Sequence, residues 1–517
     1  MAFIANRRIG EGPPAASRTK LLVYFSCALL CLVVAITIMV IDPVQIIGEF
    51  NTVIKKNSLV YSLLDQDMDG VHVRAFLFNV TNAERFLSGE DKNLKVEEVG
   101  PFTYKEIRSQ DDLVLREADH TMSYSPHTKT VFIPEESVSD PNETTVVMPN
   151  IAMLSMTSMV STFPYFTRMG YNFLVNQINS RPFRTMTAYE YLWGYNEKLI
   201  TLGNRFLPGW ISFGKMGIMD RMYDNSVHYR IDLGAGHYDK FEIKAMNGYD
   251  RLTFWDDPEN NTKSKCNSFE NAYEGISYPS RMTPKHEVRI YRNVLCRFLE
   301  LDYVESRTMQ ENSEGLVYRI SNRTFTHNED TMCLCRKGMC IEGMSDLSPC
   351  FYSLPLTLSA AHFTGANPKI YDRVEGLQPD EKRHESYFII EPKLGIVLST
   401  KFSVQVNIVV KDVSFNPAAK RFSNMNVPVG YFNIVQPPIR EIDRHNLYMM
   451  YTLGPYTFLA VAIGLFVIAV ALLTHWIRLL YWNWVCSQDK GMAFTYPEDT
   501  KPKTKTYMMT EMPLISK

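Results

Sequence analysis

Residues Leu21–Ile41 read LLVYFSCALLCLVVAITIMVI, and how they are read decides the rest of the chain. Twenty-one consecutive residues without a charge make a helix of roughly 31 Å at about 1.5 Å per residue, the thickness of one bilayer's hydrocarbon core. Arg7, Arg8, Arg18 and Lys20 precede the run against a single Glu11, whereas Asp42 and Glu49 follow it. The basic side is expected to stay cytoplasmic and the chain beyond Ile41 to be exported. A cleavable signal peptide would carry an apolar region of about 7–15 residues closed by small residues. This run instead continues through Ile38, Met39, Val40 and Ile41 to Asp42 and Pro43, which favours an uncleaved anchor.

A second apolar run, Leu453–Leu473, lies between Arg444 and His445 on one side and His475 and Arg478 on the other. Tyr448, Tyr451, Tyr456, Trp476, Tyr481, Trp482 and Trp484 flank it as an interfacial aromatic belt, and a soluble core helix seldom needs such a length of uncharged sequence. Two spans return both termini to one side. The expected organisation is a multi-pass membrane protein with a cytoplasmic tail 1–20, a first span 21–41, an exported block 42–450, a second span 451–476 and a cytoplasmic tail 477–517.

The 517 residues are 45% hydrophobic, ample for a large core, and a net charge of −2 provides no global field for nucleic acid. Six of nine cysteines, Cys266, Cys296, Cys333, Cys335, Cys340 and Cys350, fall inside the exported block. An even number in an oxidising compartment predicts three disulfides, whose connectivity has about 15 solutions from sequence alone. A zinc site is the alternative, but paired C-x2-C spacing is missing. Cys27 and Cys31 sit in the first span and Cys486 just after the second; Cys27 and Cys486 are candidates for acylation, with a plain buried or juxtamembrane thiol as the alternative. Asn-x-Ser/Thr acceptors occur at Asn79, Asn142, Asn260 and Asn322, all within the exported block.

Within that block, Val71–Val80 begins with apolar–polar alternation, and Val99–Phe102 reads as a strand end turning sharply at Gly100-Pro101. Tyr387–Glu391 and Ile396–Thr400 flank a Pro-Lys-Leu-Gly turn. Phe402, Val404, Val406, Ile408 and Val410 then alternate with Ser403, Gln405, Asn407 and Lys411, the pattern of an antiparallel sheet with one face buried. Residues 150–180 carry apolar groups at helical spacing, interrupted at Pro164, and are rich in Met. Flexible Met surfaces suit irregular apolar ligands; a core-packing helix with Met as filler fits the same pattern.

Catalytic signatures are missing. No G-x-S-x-G, H-E-x-x-H or G-x-x-x-x-G-K-[ST] occurs, and Gly234-Ala-Gly236 lacks the third glycine of a dinucleotide loop. The chain is not expected to be an enzyme or to hold a cofactor or metal.

FLFNVTNAERFLSG at 76–89 and VEEVGPFTYKE at 96–106 resemble the class B scavenger receptor family. So do YLWGY at 191–195, Trp255, Cys296-Arg297, SLP at 353–355, GLQPDE at 376–381 with His384, IEPKLG at 390–395 and VQVN at 404–407, all in order along the chain. That family includes fatty-acid translocases, high-density-lipoprotein receptors, a lysosomal integral membrane protein and insect sensory-neuron membrane proteins. The resemblance implies an α+β membrane protein: two transmembrane helices anchoring a large ectodomain with an antiparallel β-barrel core, an apical helical bundle at 150–180 and an internal apolar tunnel. It implies the pairs Cys266–Cys333, Cys296–Cys350 and Cys335–Cys340. It also implies an apical surface for ligands or partners, assigned here to Met153, Met156, Met159, Phe163, Arg168, Arg181 and Arg184, although each arginine taken by itself reads more readily as part of a solvated face.

The function implied is binding of lipids, whether fatty acids, sterols or lipoproteins, and their facilitated transfer to the membrane. The alternative is an endolysosomal cargo receptor that holds a protein partner at its apex; a homo-oligomer is compatible with either. Glu511 followed by Leu514 and Ile515 resembles the family's acidic di-leucine sorting signal, although Thr510 stands where the acid four positions before Leu514 is expected. The expected location is the plasma membrane, the endosome–lysosome system, or both.

Overall fold

A computed structural model describes residues 16–206, 214–226, 228–256, 262–329, 331–335 and 340–493. The chain forms two compact units, residues 1–43 with 453–517, and residues 44–452.

The first unit is a helical pair. Ser17 caps the helix Arg18–Val40 by accepting from the Lys20 amide, and its partner is the helix Gly454–Ala493. The two run antiparallel: Ala16 exchanges hydrogen bonds of 2.9 and 3.1 Å with the Asn483 side chain, and the Tyr24 ring lies 5.0 Å from that of His475. The buried positions of the pair are small, Ala28 and Ala35 on one helix and Ala462 and Ala469 on the other, each set seven residues apart. Small side chains at that spacing let two backbones approach closely along one seam. Leucines, valines and isoleucines face outward, with Val40 78% exposed. Both helices are long and apolar enough to cross a membrane. The second helix runs on past residue 476, the end expected for the span, to Ala493. A π-helical turn at Met449–Leu453 precedes it, next to Pro455, whose missing N–H removes one bond from the ladder.

The second unit is organised by one large sheet. Its strands run in the order Ile243–Met246, Ile231–Gly234, Thr121–Phe132, Leu94–Arg116, Met68–Val80, Met425–Val435, Ile396–Val410, Tyr387–Glu391, Glu314–Ile320, Arg297–Thr308, Val288–Arg292 and Ala272–Tyr273. Apart from the parallel pairing of the last two, neighbours on this path are antiparallel. An antiparallel bridge between Glu242 and Tyr273 joins the two ends, so the sheet nearly closes into a barrel and leaves few unpaired edges.

Two local expectations change. Val99–Phe102 is not a strand end: the strand Leu94–Arg116 continues through it, and the register jumps between the pairs Ala75–Phe102 and Leu77–Val99. Gly100 and Pro101 face the single residue Phe76, and this one extra residue makes a bulge at Gly100, whose φ is +144° and where a Cβ would stand 2.7 Å from the Ala75 carbonyl oxygen. The strand Ile396–Val410 is also buried on both faces, not one. Ser403, Gln405 and Asn407 are 2%, 0% and 0% exposed because a second layer of chain covers them. Gln405 accepts from the His362 amide at 2.7 Å, and Asn407 donates to Ser359 Oγ at 3.0 Å. Each covered polar group keeps a partner, which makes the burial tolerable.

Disulfides join Cys266 to Cys333 and Cys335 to Cys340, with Cα atoms 6.1 and 5.3 Å apart. Cys296 is also disulfide-bonded, while the Cys350 side chain lies outside the described residues. Asn142 and Asn322 are exposed; Asn79 is half-buried, its Oδ1 accepting from the Val147 amide at 2.8 Å. Asn260, the Cys486 side chain, Glu511, Leu514 and Ile515 lie outside the described residues. Cys27 is exposed with a free thiol.

Candidate functional site

The segment Tyr191–Tyr195 organises the site. Thr187 and Glu190 form a reciprocal capping box that starts the short helix Ala188–Trp193, and Gly194 ends it at φ +119°. The chain then pairs Tyr195 with Met216 by hydrogen bonds of 2.9 and 3.0 Å. The crossing is so close that a Cβ on Gly217 would fall 2.4 Å from the Gly194 nitrogen, which only glycine allows. The rings of Tyr191 and Tyr195 lie parallel, 5.8 Å apart. Tyr191 donates to the Pro149 carbonyl at 2.9 Å and Tyr195 to Asn150 Oδ1 at 3.2 Å. Burial and the nearby Glu197 charge push the Tyr195 hydroxyl well above its ordinary pKa, so it remains a donor.

Asn150 is the centre of this network. Its Oδ1 caps the helix Ile151–Val160 by accepting from the Met153 amide at 3.2 Å, while its Nδ2 donates to Glu197 Oε2 at 2.8 Å. Glu197, 3% exposed, also accepts from Ser180 Oγ at 2.9 Å and Arg184 Nη1 at 3.1 Å. A buried carboxylate held by three side-chain donors and the Leu199 amide fixes where the helix begins.

Beside that helix start lies an apolar cavity of about 50 Å³, whose lining includes Met216, Ile218, Met222, Leu356, Val404 and Phe432. Arg221 carries the one charge among the described lining residues, and that charge is directed at Asp224, 2.8 Å away. The space is smaller than the roughly 150 Å³ of an engineered cavity that admits benzene. Met216 and Met222, unbranched and flexible, are the lining side chains best able to change its shape. The alternation Leu356, Leu358 and Val404, Val406 exposes part of this lining to sequence reasoning; the segment 214–222 has no comparable periodicity and was missed.

The expected apical surface needs correction. Met153 and Met156 are 0% and 8% exposed, so neither belongs to an accessible surface, and Met159 is half-buried. The helix Ile151–Val160 is enclosed rather than amphipathic: Thr157 Oγ1 bonds Tyr171 at 2.9 Å, and Ser158 Oγ donates to the Val409 carbonyl at 2.9 Å. Its methionines are core packing. Arg184 is ion-paired with Glu197 at 3.1 Å and lies 5.2 Å from the Tyr195 ring, with its side chain still 37% exposed. Arg168 is half-buried over the Phe415 ring, whereas Arg181 is exposed. The exposed apolar groups sit further on, around the helix Tyr165–Gln177: Phe163 47%, Phe166 85%, Met169 49% and Phe173 67%.

Among the described residues no group of three His, Cys, Asp or Glu side chains gathers as a metal site. The chain is 26% identical over 372 residues to scavenger receptor class B member 1 of Bos taurus, 70% of each chain. It is 28% identical over 416 residues to lysosome membrane protein 2 of Rattus norvegicus, 78% of this chain and 84% of that one, and 26% identical over 366 residues to the human protein of that name, 70% and 74%. The CD36 family model matches residues 25–480, essentially the whole of the two spans and all that lies between them, and the chain belongs to that scavenger-receptor family.

Proposed function

We propose that this chain is a scavenger-type receptor that binds lipids or lipoproteins and passes lipid through its ectodomain to the bilayer without chemical change. The observation that carries the reading is the apolar cavity beside Ile151, in which methionines stand next to strand residues Leu356, Val404 and Phe432. A C16 acyl chain leaving water gains roughly 10 kcal/mol at about 0.8 kcal/mol per CH2, whether it enters a protein cavity or a membrane. Such a passage adds little driving force; it lowers the barrier by keeping the chain in apolar contact. Both termini are cytoplasmic in this reading, and the receptor serves the plasma membrane, the endolysosomal system or both.

The test is photo-crosslinking of the full-length chain with a diazirine fatty acid or sterol. Label should map to peptides containing 216–222 and 354–358, and Val404→Trp, which fills the cavity, should cut labelling several-fold, whereas Val138→Trp on the surface should not. Background labelling of the wild type, or full labelling of Val404→Trp, sinks the reading. A second reading, a cargo receptor that holds a protein partner, is favoured by the exposed aromatics around Tyr165–Gln177. It predicts partner capture that is lost in Phe166→Glu while crosslinking by lipid persists.

A further inference from the structure

Away from the apolar cavity, the Cys296-Arg297 pair marks a second space of opposite character. A cavity of about 50 Å³ opens among Lys265, Arg289, Arg297, Glu300, Arg323 and Thr324, against the Cys266 wall. Arg297 is only 3% exposed, yet among the described residues its Nε and Nη1 have no hydrogen-bond partner. Its guanidinium lies 5.9 Å from the Trp255 ring, which gives it a face contact but uses no N–H. Burial holds Arg297 below the ordinary guanidinium pKa, at about 10, against the opposing fields of Asp346 and Glu300.

Arg289 lies across the same space. Its Nη1 and Nη2 donate to the carbonyls of Ser268 and Lys265 at 2.9 and 2.7 Å, and its plane sits 4.1 Å from the Phe298 ring. Among the described residues its Nε is buried without a hydrogen-bond partner, and so is Thr324 Oγ1. The one lining carboxylate, Glu300, is ion-paired with Arg323 at 3.2 Å. Asp346, the other carboxylate acting on Arg297, accepts from the Ser348 amide at 2.8 Å. Arg297, Arg289 and Thr324 present unused donors to a space whose lining carries four cationic side chains, Lys265, Arg289, Arg297 and Arg323, against the single carboxylate of Glu300, with Asp346 also acting on Arg297.

Water alone matches this poorly. Each water that accepts from a guanidinium brings two hydrogens of its own; the buried Glu300 Oε2 can take one of them, but it balances only one of the four cationic side chains of the lining. An oxyanion brings acceptors only. The volume of about 50 Å³, at roughly 10–15 Å³ per water-sized site, has room for about three to five such positions. A chloride offers one accepting centre, whereas the donors come from three residues. We propose that this cavity is an anion site that takes a free tetrahedral oxyanion, of phosphate or sulfate size, held by Arg297, Arg289 and Thr324. An anion there ties the strand Arg297–Thr308 to the strand Val288–Arg292 and to the turn at Asn322–Thr324, beside the Cys266–Cys333 disulfide.

The experiment uses the full-length chain in detergent, in chloride buffer of constant ionic strength, dialysed against radiolabelled inorganic phosphate at pH 7. The wild type should retain close to one phosphate per chain at millimolar concentration, and its unfolding temperature should rise with phosphate, as for a ligand that binds only the folded state. Removing one charged donor set by Arg297→Met or Arg289→Gln should weaken retention about tenfold or more and flatten the thermal response. Arg289 is half-exposed, so Arg289→Gln provides the comparison if Arg297→Met does not fold. The proposal is overturned if the wild type retains no phosphate, or if Arg289→Gln retains as much and gains the same thermal shift, since that would be a general salt effect.

Discussion

His362 and His384 stack face to face, with ring centroids 4.5 Å apart and planes 9° from parallel. Each is 3% exposed or less. The Gln378 amide donates to His362 Nδ1 at 3.0 Å, which leaves the proton on Nε2 to be donated to Glu98 at 2.9 Å. His384 Nδ1 faces the Asp380 amide and the Thr364 hydroxyl, each at 3.3 Å. Phe78 and Tyr431 close the edges of the stack, and Arg383 bonds the second Glu98 oxygen at 2.5 Å. The pair thereby latches the 376–384 segment onto the covered face of the barrel.

This latch weakens as pH falls. Burial, then the neighbouring His362 and Arg383, pull the His384 pKa down to about 4 against the pull of Glu98 and Asp380. An opened His384 takes a proton near its ordinary value of about 6.5, the latched one only near 4, so stability present above pH 6.5 is lost progressively toward pH 4. Burial would raise the Glu98 carboxyl, but the hydrogen bond from His362 and the Arg383 charge hold it below its usual range, and its contribution is lost only at lower pH. Hydrogen exchange of 376–384, corrected for intrinsic rates, should speed up between pH 6.5 and 4.5. His384→Phe, which keeps a stacking ring but no titration, should flatten the response; a segment equally protected at both pH values refutes the latch.

Asn150 separates capping from network. Asn and Asp cap helices about equally well, and Ala costs about 1 kcal/mol. If only the cap mattered, Asn150→Asp would be neutral. Because Nδ2 faces the buried Glu197, Asp there sets two carboxylates together, and both Asn150→Asp and Asn150→Ala should destabilise by roughly 2–4 kcal/mol. Thermal unfolding of the detergent-solubilised chain checks this, and an Asp variant with wild-type stability would contradict it.

Phe166 and Phe173 carry no visible packing burden. Glu at either position should move stability by no more than about 0.5 kcal/mol, yet lower the capture of an apolar or protein ligand at that surface. Surface binding of purified lipoprotein to the two variants, compared with Arg181→Ala, measures it; unchanged binding in both aromatic variants removes the patch from the account.

The parts legible in the sequence were those whose local pattern leaves few physical solutions. A run such as 21–41 can satisfy its backbone and side chains only in a bilayer or a fully enclosed core, and the alternation at 402–410 can only be a strand. What covers that strand was not legible, because Gln405 and Asn407 find His362 and Ser359, 43 and 48 residues away. The Met-rich helix failed for the same reason. Its pattern is equally apolar whether solvent, lipid or Tyr171 and Val409 lie beside it, and those neighbours come from elsewhere in the chain. The cavity wall at Met216–Met222 depends on the close crossing of Gly194 and Gly217, a tertiary contact with no local period.

The helical pair gives the last test. Ala28, Ala35, Ala462 and Ala469 form its seam, and a larger side chain there must push the helices apart, at about 1–3 kcal/mol for each overpacked site. Ala471, on the same helix as Ala469, is exposed. With Cys27 and Cys31 replaced by Ser, cysteines at positions 16 and 483 should form a disulfide readily, since Ala16 and the Asn483 side chain already touch. Ala28→Leu with Ala469→Leu should abolish that cross-link in native membranes, whereas Ala471→Leu should leave it intact. Equal cross-linking in all three backgrounds would mean that the small-residue seam does not hold the helices together.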